Sequence, residues 1–193
     1  MIRIIQEVAM KVKGSALRST MHYIRDHYPP DQVGKIMDQL DPEHRKLLER
    51  PILVSDWHEA EILVRLMKAA AAVSGEDGRT LWARIGRQSC DDGLNTVYKI
   101  FFRLGSPSYI LKRGFQLWNN YYSDGVMVVE NITDQGADVK LTKNAFPDEC
   151  MCIRITGWME RSIELSGGKG VKIVHKTCVH RGDAECTWRG DWA

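Results

Sequence analysis

The sequence lacks the features that announce the commoner functions. No apolar run approaches the roughly 18 residues of a membrane span. The opening MIRIIQEVAMKVKG interrupts its apolar residues with Arg3, Glu7, Lys11 and Lys13, so it has no signal-peptide h-region. Charge of one sign is missing too. Lys+Arg 27 against Asp+Glu 25 leaves +2, which asks for neither nucleic acid nor an anionic membrane. There is no GxSxG elbow, no GxGxxG run and no P-loop. Gly167-Gly168-Lys169-Gly170 precedes a strand-like segment rather than a helix, so it offers phosphate no helix N-terminus. Asp91-Asp92 and Glu59/Glu61 are acid pairs without partners to tune them and read as solvated faces. An enzyme is not expected.

What is present suits a chain that buries a core. Hydrophobic residues make up 44% and charged residues 27% of 193, which excludes a disordered tail and a disulfide-dependent mini-protein. Alternation from Ile2 to Val12 predicts a strand ending at Gly14. Helices are predicted over 15–27, over 31–40 with Asp31 as N-cap, and from Asp41-Pro42 through Leu48. A long one follows over 56–73, where Ile62, Leu63, Leu66, Met67 and Ala70 share a face before the stop at Gly75. Further helices are predicted over 79–92, over the all-apolar stretch 97–104, and from Pro107 through Trp118.

Then the period changes. Strands are predicted over 126–132 and 137–141, a helix over 152–165, and a last hairpin from 171–178 and 185–188. The expected class is α+β: a helical N-terminal half packed on an antiparallel sheet of two hairpins with a helix between them. No repeat or linker divides the chain. One domain over 1–193 is expected, helical to about 122 and sheet-bearing from about 123, in a cytoplasmic protein.

Four of the five cysteines lie in the last 44 residues, and the odd count argues against a disulfide framework. Cys152-x22-His175-x2-Cys178-x7-Cys186 supplies three thiolates and an imidazole, a standard set for structural zinc. Cys150 and His180 are spare donors, and buried free cysteines also behave as small hydrophobes. His175 and Cys178, an odd number apart, would point to opposite faces of a strand and need a bulge or strand end to converge.

The ending GGKGVKIVHKTCVHRGDAECTWRGDW resembles the 4-vinyl reductase-type ligand-binding domain, through Cys178, Gly182-Asp183, Cys186 and Trp188. The same domain type forms the sensory module of XylR/DmpR-like activators, which hold zinc with three cysteines and a glutamate. The cysteines match Cys152, Cys178 and Cys186, and the glutamate position falls on His175. VKGSALRS, the Trp57 helix and GSPSYILKRGFQLWNNYYSDG resemble a myxobacterial protein family. Together these imply the fold shared by haem-nitric-oxide sensor domains and TRAPP subunits: helices on an antiparallel sheet around a ligand cavity, often dimeric.

Cavity candidates are Tyr98, Phe102, Trp118, Tyr122 and Trp158, large side chains several of which carry a polar tip. The haem sensors require a proximal histidine and a Tyr-x-Ser-x-Arg run. The chain has no such run, and His22, His27, His44 and His58 sit amid charged neighbours, so haem is not expected. TRAPP subunits can carry an acyl group on a cavity cysteine, which makes Cys90 the acylation candidate. The expected function is a non-enzymatic small-molecule or lipid sensor with structural zinc, a homodimer acting through an effector protein. The alternative is an interaction scaffold with a vestigial cavity.

Overall fold

The computed structural model of the chain describes residues 10–93, 106–143, 146 and 148–193. Strand β1 (Lys11–Lys13) runs directly into helix α1 (Gly14–His27). Helices α2 (Pro30–Asp38) and α3 (Pro42–Leu48) follow. Strand β2 (Trp57–Glu59) leads into α4 (Ala60–Ser74), and α5 (Gly78–Gly93) and α6 (Pro107–Tyr121) complete the helical half. Then come β3 (Val126–Glu130), β4 (Gly136–Thr142), α7 (Glu149–Leu165), β5 (Lys172–Thr177) and β6 (Cys186–Asp191). This is the α+β layout the change of period predicts. The segment 97–104, with Tyr98 and Phe102, lies outside the described residues.

Local chemistry explains where the elements start and stop. On α4, Ile62, Leu63, Leu66, Met67 and Ala70 are all buried, and Gly75 closes the helix at φ 71, donating its N–H to Ala71. The strand expected over 2–12 is described only as three residues. They pair with β2, Lys11 opposite Glu59 and Lys13 opposite Trp57, with Lys13 Nζ 4.0 Å from the Trp57 ring centroid. That pairing keeps 57–59 out of the helix expected from Asp56. Asp31 is not an N-cap: Pro30 takes the first helical position, leaving Asp31 in the first turn. β3 stops at Glu130 because Asn131 turns to φ 49. Helix α7 starts before Cys152 because Asp148 caps it, accepting the Cys150 N–H at 2.9 Å.

The four-stranded sheet has the order β3-β4-β6-β5, antiparallel throughout, so the two hairpins join through their inner strands. One core cluster runs from Leu17 and Ile24 of α1 through Leu63 and Met67 of α4 to Leu141 and Trp188 of the sheet. Helices α5 and α7 cross at glycine against backbone. A Cβ on Gly86 would stand 1.9 Å from the Arg154 carbonyl oxygen, and one on Gly157 would stand 2.0 Å from that of Ala83. Ion pairs flank the crossing, Arg87 to Glu164 at 2.6 Å and Arg161 to Asp91 at 2.9 Å.

Candidate functional site

The first candidate is a cluster of donors where α7 meets the last hairpin. Cys152 comes from the first turns of α7, Cys178 from just past the end of β5, and Cys186 opens β6. His175 reaches them because the β5–β6 register is irregular between His175 and Thr177, the bulge that odd spacing requires. One ligand atom from each of Cys152, His175, Cys178 and Cys186 lies within 4.8 Å of all the others. Sγ of Cys152 is 3.7 Å from that of Cys186 and 4.0 Å from that of Cys178. A disulfide needs about 2.05 Å. Two ligands at 2.3 Å from a tetrahedral ion stand about 3.8 Å apart.

The surroundings of the cluster have the character of a metal loop. The Cys178 N–H donates to Asp183 Oδ2 at 2.7 Å, the Val179 N–H to Cys186 Sγ at 3.5 Å, and Gly182 turns the chain at φ 91. Both His175 nitrogens are buried without a hydrogen bond. The Cys152 thiol beside Cys186, helped by the His175 ring and the Val179 N–H, pulls the Cys186 thiol down to about 4 against the effect of burial. The donor set therefore suits Zn²⁺. Cys150 is buried and His180 exposed, and neither joins the cluster.

The second candidate is a cavity of about 540 Å³ between the helices and the sheet. Ser15, Ser19 and His22 of α1, Ser89 and Asp92 of α5, and Ile110 and Trp118 of α6 line it. Met127, Val129 and Val139 form the sheet side, and Arg154, Ile155, Trp158, Met159 and Ser162 the α7 side. Of the expected aromatics, Trp118, Tyr122 and Trp158 line this space. Trp118 stacks on Tyr122 at 4.2 Å and donates its Nε1–H to Asp124 O.

Sequence reasoning missed Arg154, 3% exposed, which donates to Tyr122 Oη at 3.0 Å and to Ser89 Oγ at 2.7 Å. Its signal was present: a charge set inside the apolar run Met151–Ile155, one helical turn before Trp158.

The remaining candidates lie elsewhere. Cys90 is fully buried against Ile110 and Trp158, and burial pushes its thiol far up. His22 is the only described histidine lining the cavity, and both its nitrogens are engaged, Nδ1 by Asp92 and Nε2 by Asp26, each at 3.0 Å. His27 Nδ1 lies 2.9 Å from the Tyr23 carbonyl oxygen and its ring stacks on that tyrosine. No helix among the described residues is long and apolar enough to cross a membrane.

No family model and no curated protein matches the chain. Solved structures do, over nearly its whole length. The unliganded Fe(II) H-NOX protein from K. algicida is similar at TM-score 0.74 and 14% identity, covering 94% of this chain and 96% of its own. An H-NOX protein from S. oneidensis in the Fe(II)NO ligation state gives 0.74 and 11%, covering 94% and 99%. An oxygen-binding H-NOX domain related to soluble guanylate cyclases gives 0.66 and 13%, covering 93% and 94%.

Two expectations are corrected. The 4-vinyl reductase and XylR/DmpR likeness rests mainly on the terminal segment, whereas the structural likeness to the H-NOX proteins extends over 93–94% of the chain. The expectation of no haem fails with it, because solved structures of this fold are studied for their haem. The described residues suit an apolar ring with acidic groups: aromatic and Met walls, with Arg154 buried among them. The one described histidine that lines the cavity, His22, has both ring nitrogens engaged by carboxylates. At these identities the likeness settles the architecture: the chain has the H-NOX fold.

Proposed function

We propose that the chain is a small-molecule-binding sensor module, not a catalyst, whose occupancy is read by a partner protein. The cavity carries this reading. A space of about 540 Å³ sits within the usual range for ligand sites, roughly 300–1,000 Å³, and combines apolar walls with a few polar groups. Haem, when bound in proteins of this fold, supplies an iron that takes NO or oxygen, as the ligated neighbours do. Here Trp118, Trp158 and Met159 would flank such a ring, and Arg154 would meet an acidic edge.

The second part of the reading is a structural Zn²⁺ on Cys152, His175, Cys178 and Cys186, supported by their mutual reach and the hydrogen-bond-free imidazole. Cys152 and the cavity-lining Arg154 share one turn of α7, so the metal would anchor a cavity wall.

Ligand-dependent melting tests the sensor reading. Haemin and a panel of apolar small molecules are titrated against the purified protein, with absorbance following the haemin arm. Binding at 100 times Kd raises stability by about 2.7 kcal/mol. A melting temperature and an absorbance spectrum unmoved across the panel would overturn the reading.

A further inference from the structure

Arg154 carries a buried positive charge with which no carboxylate among the described residues forms an ion pair. It projects from the second turn of α7 and lines the cavity. Nη1 and Nη2 each donate to one hydroxyl, Tyr122 and Ser89, and Nε is buried and donates to nothing. Both partners are neutral. Burial pushes the Tyr122 phenol up despite the opposing pull of Arg154, so it keeps its proton. The acids of α5 and α7 are engaged elsewhere: Asp91 by Arg161, Asp92 by His22, Glu149 by Arg79, and Glu160 and Glu164 by Arg87. Outside the described set, and the side chains of 112–117, the sequence holds a single further acid, Glu7.

A buried guanidinium is strongly disfavoured without a counter-charge, and a ligand that brings one gains correspondingly. Nη1 and Nη2 each keep one further N–H beyond these bonds, and the donors of a guanidinium lie in one plane that suits a carboxylate. One buried cation balances one negative charge, whereas a phosphate monoester brings roughly 1.5 to 2. Arg18 and Arg25 also line the cavity, but both are exposed, so water already solvates them.

We propose that the cavity takes an apolar monocarboxylate, its carboxylate seated on Arg154 and its body against Ile110, Met127, Val139 and Trp158. This rests on the reading of the cavity as a ligand site, and names the chemistry that site selects.

Decanoate and decan-1-ol share a chain and differ in charge, so their Kd values for the full chain test the proposal. Charge-assisted hydrogen bonds predict decanoate tighter by on the order of tenfold or more. Arg154→Met, which removes the charge and keeps the bulk, should abolish the preference and leave the alcohol's affinity within about threefold.

Equal binding of the two probes would overturn the carboxylate assignment and leave the cavity reading standing. Binding of neither would overturn both. A preference that survives in Arg154→Met would overturn the seat. A variant that loses bound zinc with its preference intact would make Arg154 a counter-charge to the thiolate cluster, which also overturns it. If Arg154→Met does not fold, Arg154→Lys keeps the charge and loses the fork, and the wild-type comparison of the probes remains decisive.

Discussion

His175 lies flat on Trp188, ring centroids 4.6 Å apart and planes 8° from parallel. The indole donates its Nε1–H to Thr156 of α7 at 2.9 Å, so the ring under the imidazole is itself fixed to the helix that carries Cys152. The stack fixes the plane of the His175 ring, one nitrogen of which lies within 4.8 Å of three sulfurs.

Zinc should therefore copurify at one ion per chain, read as a mass increment in the native spectrum that denaturation removes. Cys178→Ser should lose it. With zinc held at a thousand times its Kd, that loss costs about 4 kcal/mol. A metal-free spectrum for the wild-type protein would remove the zinc assignment.

Gly157→Ala and Gly86→Ala should each be destabilising out of proportion to one methyl group. The added carbon meets a backbone carbonyl at 2.0 Å or less, so the helices must separate. A cost near the upper end of overpacking, about 3 kcal/mol, lowers Tm by roughly 6–12 °C for a chain of this size. A change under about 1 kcal/mol would mean that the crossing is not this tight.

Asp148 should make folding acid-sensitive. Burial alone would raise its carboxyl. The Lys68 ammonium and the Cys150 N–H outweigh that and hold it below the ordinary carboxylate value. Its contribution is thus present above the unfolded value, about 3.9, and lost as pH falls through the lower folded one. Asp148→Ala should cost about 1 kcal/mol at pH 7, with the gap to wild type closing in acid. Parallel pH–stability curves would contradict this.

His22 titrates in the opposite sense. Its hydrogen bond to Asp92 raises its pKa against a small desolvation cost. The stability it adds is complete below the unfolded value, about 6.5, and disappears as pH rises through the folded one. The side chain is 51% exposed, so the effect is a few tenths of a kcal/mol and is better read by NMR than by melting. The His22 ring resonances should titrate above 6.5, and Asp92→Asn should bring them back.

Much of the architecture was legible because it is written in local periodicity. The shift from 3.6-residue to 2-residue spacing after Tyr122 separates the helical half from the sheet, and Gly75 and Pro107 mark helix ends in the letters themselves. The four metal-type donors were legible from residue type and spacing. Their convergence depends on a bulge before Thr177, which no alternation encodes. β2 was hidden because Trp57–Glu59 becomes a strand only by pairing with Lys11–Lys13, far away in sequence. Arg154 was legible only as a charge inside the apolar run Met151–Ile155; that it is buried depends on Ser89 of α5 and Tyr122, which are distant in sequence.

Helix α7 is capped at its front by Asp148, itself paired with Lys68, and crosses α5 at Gly157 with no room to slide. Its far end leads through Gly167 and Gly168 to Lys169, whose backbone is tied in both directions to that of Ala193 at 2.8 Å. Fastened at its front, its middle and its far end, α7 behaves as a clamped beam: it can shift only together with α5 and the last hairpin.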